Sequence, residues 1–234
     1  MVYKIIVITI LLACQANLVK AQGGILSAII VNAISSSDEV GVSRQAAKHM
    51  EKAKNTSILI RLADEKQRIA YMKDKGKALQ AQEFGNKTKQ LNDDMIAFFT
   101  EHFDYCQVYF YYSSDADAVL KEKNFDLLWV DGNHQAQGVT FEEAPYILMY
   151  GPVSYLRWNT SDKLTLHHWD FNKMDYIEST AFPSSRMGKW KRRLQKRNKS
   201  FDFSPYSDLE LQVAGLNATF HAVEKMVEKR RDSK

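Results

Sequence analysis

The chain has 234 residues, a formal net charge of +4 and a hydrophobic content of 45%. This supply of apolar residues suffices for a packed core, which excludes a disordered or low-complexity protein, and the length fits one domain with helical extensions. Two cysteines are too few for a disulfide-rich scaffold.

The first 21 residues have the three parts of a cleavable export signal. Lys4 supplies a basic start, residues 5–13 form a short apolar run, and Val19-Lys20-Ala21 supplies a small-residue cleavage site. We therefore predict cleavage between Ala21 and Gln22. The apolar run is too short to span a bilayer, which needs about 20 apolar residues.

Cys14 permits a second interpretation of the same segment, in which Leu11-Leu12-Ala13 precedes a lipidated cysteine. Leu12 is large where such a lipoprotein signal usually has a small residue. We therefore favour the cleaved signal.

Cleavage would change the composition of the mature chain. It removes Cys14 and both lysines of the signal, so the formal net charge falls from +4 to +2 and no internal disulfide can form. Cys106 is retained beside an aromatic segment without a flanking cation, which predicts a buried structural thiol. The Ala-Gln ending resembles export signals of Bacteroidota. We expect a periplasmic or outer-membrane-associated protein, with secretion as the alternative.

Residues 22–104 are predicted to form a helical region. The apolar stretch at 25–34 is about half a membrane span long and predicts a buried or partner-bound helix. Residues 43–84 are rich in good helix formers and predict a long amphipathic helix, either continuous or broken near Asn55-Thr56-Ser57. A second helix is predicted from the Gly85-Asn86 break to about Phe103.

Residues 105–182 change to a sheet pattern, and we expect the whole sheet to come from them. Short aromatic and aliphatic runs predict strands at 108–112, 127–130, 146–150, 154–158 and 164–169. Helix-compatible spacing between the first two strands suggests a parallel strand–helix–strand unit, although the short link also allows antiparallel pairing. The overall prediction is an α+β fold with long N-terminal helices, a small central mixed sheet and an amphipathic C-terminal helix.

Residues 206–234 predict a C-terminal helix that packs on the same domain. Ser207 and Glu210 have the spacing of a capping box, and Lys229-Arg230-Arg231 places cations at the C-terminal end, where they favour the helix dipole. Apolar residues recur every three or four positions at Leu209, Val213, Leu216, Phe220, Val223 and Val227.

Polar residues follow two of the predicted strands and are the candidate catalytic or metal-binding groups. Asp131 and His134 follow the second strand, and His168 and Asp170 lie at the end of the fifth. Functional groups in open α/β sheets gather beyond the carboxyl ends of strands. If these groups converged, they would form a metal site or an acid–base pair, and otherwise they are ordinary turn residues. No motif indicates a cofactor, and we predict none.

Residues 183–205 predict a basic linker. Eight cations and no acid fall between positions 186 and 199. Such a run can contact anionic lipid, lipopolysaccharide phosphates or an acidic partner, and export argues against nucleic acid. The candidate binding residues are Lys189, Trp190, Lys191, Arg192, Arg193, Lys196 and Arg197.

These features together predict a non-enzymatic exported envelope protein, an interaction or scaffold subunit of a periplasmic or outer-membrane-associated complex with no transmembrane span. A nucleophile elbow, a P-loop, a Cys-x-x-Cys pair and a dinucleotide fingerprint are absent from the sequence, which favours this interpretation. The alternatives are a hydrolase or metal-dependent enzyme using the strand-end Asp and His residues, and a module that binds anionic lipid or glycan through the basic run.

Overall fold

The computed structural model describes residues 44–152, 162–169, 174–176 and 207–232. These residues form a five-stranded mixed β-sheet with helices packed against it. The architecture confirms the predicted α+β fold, with a mixed sheet and a long C-terminal helix after it.

The helices are α1 (Arg44–Asn55), α2 (Lys66–Asp74), α3 (Ala78–His102), the short α4 (Ala116–Leu120) and α5 (Asp208–Asp232). The strands are β1 (Ser57–Leu62), β2 (Gln107–Tyr112), β3 (Tyr146–Pro152), β4 (Asp162–Trp169) and β5 (Met174–Tyr176). Two 3-10 turns, Ser113–Asp115 and Phe125–Leu127, lie between β2 and β3.

The strands are arranged in the order β2-β1-β3-β4-β5. The first three are parallel, and β4 and β5 are each antiparallel to the preceding strand. One face of the sheet packs against α1, α3 and α5, through residues such as Ile60, Phe99 and Phe220. The other face packs against α4 and the following loop, through residues such as Leu59 and Val119. The two faces therefore have separate cores.

The predicted long helix over 43–84 is wrong, because its centre is the strand β1. The break predicted near Asn55-Thr56-Ser57 is where α1 ends and β1 begins. Residues 58–60 are apolar, consecutive and fully buried, as expected for a strand covered on both faces. The sheet therefore includes a strand from the region that was predicted to be wholly helical.

The helix break predicted at Gly85-Asn86 is also wrong, since α3 continues through both residues. The break lies at Gly76, which has a φ of +72°. The amides of Gly76 and Lys77 donate to the carbonyls of Lys73 and Met72, which is the Schellman pattern that ends a helix. Gly76 suits this position because it adopts a left-handed backbone without steric cost.

The segment at 127–130 is not a parallel strand. Its one ladder contact to the sheet is an antiparallel bridge between Trp129 and Phe110, on the outer edge of β2. Trp129 also bridges Gln135, so the chain turns back on itself between them. The strands predicted at 108–112, 146–150 and 164–169 are confirmed as β2, β3 and β4.

The C-terminal helix is confirmed as α5, with its predicted apolar residues facing the core. The amide of Glu210 donates to the Ser207 hydroxyl at 3.1 Å, which is the first of the two hydrogen bonds of a capping box. The Glu210 carboxylate lies 3.0 Å from Nε2 of the buried His102, which joins the start of α5 to the end of α3.

Several sequence-based predictions lie outside the described residues. They are the export signal, the apolar segment at 25–34, the strand at 154–158, Asp170 and the basic run. Among the described helices, none is both long and apolar enough to cross a membrane.

Candidate functional site

The carboxyl ends of the three parallel strands form the place in this fold where a functional site is expected. The connection from β1 to β2 runs through α3 on one face, and the connection from β2 to β3 runs through α4 on the other. The strand order therefore reverses between β1 and β3. In open α/β sheets, the crevice at such a switch point is where ligands bind.

Asp64 is the central polar residue at this end of the sheet. It follows β1, its side chain is 6% exposed, and one carboxylate oxygen lies 2.9 Å from Lys66 Nζ. The Asp64 amide donates to the Ser113 hydroxyl at 2.8 Å. Burial alone would raise the pKa of Asp64, but hydrogen bonds from Lys66 and Ser114 outweigh it and lower the pKa. The ionised carboxylate thus braces the end of β1 against the turn after β2.

The loop that presents Asp64 is fixed from α3 by Asn92. The Ala63 amide donates to Asn92 Oδ1 at 3.0 Å, and Asn92 Nδ2 donates to the Ala63 carbonyl at 2.8 Å. Both backbone polar groups of one residue are therefore satisfied by a single buried side chain.

Asp131 and His134 form a self-contained turn. The Asp131 carboxylate accepts the amides of Asn133 and His134 at 2.7 and 2.8 Å and contacts His134 Nδ1 at 2.9 Å. The hydrogen bond with the His134 side chain, together with those from the two amides, lowers the pKa of Asp131. The His134 side chain is exposed. Asp131 and His134 are therefore arranged as ordinary turn residues, which was the alternative to a metal site or an acid–base pair.

The structure does not bring these two residues to His168. Trp129, which precedes the turn, lies outside β2, whereas His168 is on β4, four strand spacings or about 19 Å away. Both places are also near the amino ends of the parallel strands, because the bridge at Trp129 and the strand β4 run antiparallel to them. No cluster of three metal-ligating side chains occurs among the described residues.

His168 instead belongs to a ring cluster with His49 and Tyr146. The two imidazole centroids are 5.1 Å apart, and His49 Nδ1 lies 3.0 Å from the Tyr146 hydroxyl. Burial raises the pKa of Tyr146 to about 12. Burial, followed by the neighbouring His168 and Lys52, lowers the pKa of His49. Burial therefore favours the neutral forms of His49 and Tyr146, and the cluster joins α1 to β3 and β4.

This cluster predicts a pH-dependent stability. In the folded chain, the pKa of His49 in this cluster lies below the ordinary value of about 6.5, and so does the pKa of the half-buried His167 outside it. As the pH falls, the unfolded state therefore binds more protons than the folded state does. Stability is fully present above the unfolded pKa and is lost as the pH falls towards the folded pKa. We expect urea unfolding to give a lower free energy at about pH 5.5 than at about pH 7.5, with a smaller difference in His49→Gln. An unchanged pH difference in this variant would contradict the argument.

Cys106 lines an open groove of about 440 Å³ between the end of α3 and β2. Its lining is mixed, with the apolar Phe99, Phe103 and Val108 beside polar residues such as Asp104 and Gln107. Burial raises the pKa of the Cys106 thiol to about 12. The thiol is therefore protonated at neutral pH, which agrees with the predicted structural role.

Sequence reasoning missed Asp64, Ser113 and Asn92, the residues that shape the carboxyl end of the sheet. The available signal was the run Ile58-Leu59-Ile60 followed closely by Asp64, which is typical of a buried strand with a polar residue beyond it. Comparisons of the chain with protein-family models, with curated proteins and with solved structures found no match.

Proposed function

We propose that this chain is an exported, non-enzymatic envelope protein that acts by binding another protein through the α2–α3 hairpin, defined here as residues 66–91. The observation that carries the proposal is the exposure of this hairpin. Helix α2 has no buried residue, and Tyr71 and Leu79 are 63% and 78% exposed. Both residues belong to one short hairpin, and exposed apolar patches are typical of interaction sites.

The hairpin is held together by its own contacts. A Cβ atom at Gly85 would lie 3.3 Å from Ile69 Cδ1, so the glycine allows α2 to approach α3 closely. The Arg68 guanidinium lies 4.4 Å from the centroid of the Phe84 ring. These contacts give the exposed side chains a fixed backbone, which lowers the entropy cost of binding.

The charge of the hairpin indicates the chemistry of the partner. Arg68, Lys73, Lys75 and Lys77 are close in sequence to the two exposed apolar residues, and Lys75 Nζ lies 5.5 Å from the centroid of the Tyr71 ring. None of these four cations forms an ion pair within the described part of the chain. Asp74 is the one acid between them. A partner surface with acidic residues around an apolar groove would complement this arrangement.

Export is part of the proposal and rests on the signal at residues 1–21. The expected product in the envelope begins at Gln22, and intact-mass measurement of protein recovered from the native cells tests it. A mass that retains Lys4 and Cys14 would remove the export argument, and with it the choice of an envelope partner.

The binding test uses a photo-cross-linking amino acid in place of Tyr71 in the native cells. We expect one protein adduct, identified by mass spectrometry, whose purified form binds the wild-type chain. The double variant Tyr71→Ser with Leu79→Ser should lose this binding. Its stability should stay within about 0.5 kcal/mol of wild type, because both side chains are exposed.

The matched control is Tyr112→Ser with Val130→Ser, which changes two exposed apolar residues outside the hairpin. It should bind as the wild type does. If Tyr71 formed adducts with lipid alone, the proposed protein partner would be wrong, and the hairpin would contact an anionic membrane surface instead. Equal binding by both double variants would show that the hairpin is not the contact.

A further inference from the structure

We propose that the face of the sheet covered by α4 carries a binding site for a small oxyanion, a carboxylate or a phosphate group, anchored by Arg61. The inference does not depend on the hairpin or on export. It rests on the row of side chains that the strand register places beside Arg61.

Arg61 lies on β1, between two other strands of the sheet. Its register partners are Tyr111 on β2 and Met149 on β3, and Met149 is in turn opposite Thr165 on β4. These residues form a row across one face, near the carboxyl ends of the parallel strands. The row crosses the switch point between β1 and β3, where this class of sheet binds ligands.

Within the described part of the chain, the Arg61 guanidinium has no anionic partner. Its one polar contact among the described residues runs from Nη1 to Met149 Sδ at 3.7 Å, which is a weak interaction. The side chain is exposed, although it belongs to an internal strand. An accessible guanidinium on the face of a sheet presents a fork of N–H donors that matches a planar or tetrahedral oxyanion.

The neighbouring Tyr111 hydroxyl is also without a partner. The residue is 0% exposed, and its hydroxyl makes no hydrogen bond. Buried hydroxyl groups are nearly always hydrogen-bonded in folded proteins. Burial raises the pKa of Tyr111 to about 12, and the Arg61 charge is close enough to act in the opposite direction. The hydroxyl therefore stays protonated, and because it is sealed from solvent, a bound oxyanion reaches it only after a rotation of the tyrosine or of its neighbours.

The surroundings limit the kind of ligand. Met149 and the Tyr111 ring flank the guanidinium with apolar surface, while the Thr165 hydroxyl is occupied by the Met149 carbonyl at 3.3 Å and by His167 Nε2 at 3.1 Å. Arg61 supplies the accessible donors, and the row contains no carboxylate. The arrangement suits one oxyanion group on a small body and does not suit a metal cation.

The test is calorimetric titration of the full chain at constant ionic strength with inorganic phosphate in one arm and succinate in the other. We expect saturable binding in at least one arm, and the tighter arm identifies the oxyanion. Arg61→Gln should weaken that binding by about tenfold or more, and Arg61→Lys by less, because lysine keeps the charge without the fork. Arg231→Gln is the matched control, since it removes an exposed arginine of α5, which packs on the other face of the sheet, and should leave binding unchanged.

Thermal unfolding of each variant shows that it is folded, which the exposure of Arg61 leads us to expect. Tyr111→Phe should weaken binding by a smaller factor than Arg61→Gln, and unchanged binding in this variant would remove Tyr111 from the site. The proposal is overturned if neither phosphate nor succinate binds saturably, or if Arg61→Gln and Arg231→Gln behave alike.

Discussion

Replacing Phe220 by alanine is expected to lower the free energy of unfolding by about 3–5 kcal/mol. Phe220 is fully buried in the middle of α5. Its ring centroid lies 4.9 Å from that of Tyr105 and 5.9 Å from that of Phe103, so it joins α5 to the segment between α3 and β2. Removing the ring leaves a cavity beside aromatic residues that cannot close around it. Urea unfolding at neutral pH measures the loss.

The control for this variant is Met226→Ala on the same helix. Met226 is only partly buried at the edge of the same core, so its removal should cost less than the removal of Phe220. If Phe220→Ala cost no more than Met226→Ala, the face of α5 that contacts the sheet would have to be different. Because α5 buries most of its length from Leu209 to Val223, the change should affect the whole domain and not the helix alone.

Replacing Asn92 by alanine is the second large effect that we expect, at about 2–3 kcal/mol. Asn92 satisfies both the amide and the carbonyl of Ala63, and a buried polar group left without a partner costs about 1–3 kcal/mol. Because Ala63 is only partly buried, water can form some of the hydrogen bonds that Asn92 no longer makes, which limits the loss of stability. Chemical denaturation gives the total, and amide hydrogen exchange at Ala63 should become faster than in the wild type.

Asp93→Ala is the matched control because it changes the next residue of the same helix. Asp93 is exposed and pairs with Lys89 four residues before it, an interaction worth about 0.3–0.5 kcal/mol. If the Ala63 amide exchanged in Asn92→Ala at the same rate as in the wild type, the loop after β1 would have to be held by other contacts. It would also weaken the description of Asp64 as a fixed residue at the switch point.

The elements that sequence reasoning predicted well are those specified by local pattern. Helix α5 combines a Ser207 cap with apolar residues at helical spacing, and both features operate within a few turns of chain. The aromatic run of β2 and the alternating residues of β4 likewise match a strand without reference to the rest of the fold. Cys106 was predicted to be buried, whereas it is partly buried and lines the groove beside β2.

Strand β1 shows where local pattern fails. Its flanking sequence is rich in helix formers, and Leu62 falls at helical spacing with Ile69 and Met72 of the next element. The segment is a strand because it pairs with β2 on one side and β3 on the other, from positions 50 and 88 residues away in register. Such pairing depends on long-range contacts, which no local window of sequence contains.

The sequence by itself determined the α+β class, the C-terminal helix, three of the strands and the polar turn at Asp131, because each depends on neighbours along the chain. Only the tertiary structure decided where the parallel strands end together. That decision moved the candidate site from Asp131 and His168 to Asp64, Ser113 and the row beside Arg61. The physical reason is strand direction: a polar residue after a strand lies at the carboxyl end of the parallel group only if its strand runs with that group, and direction is set by pairing between distant segments.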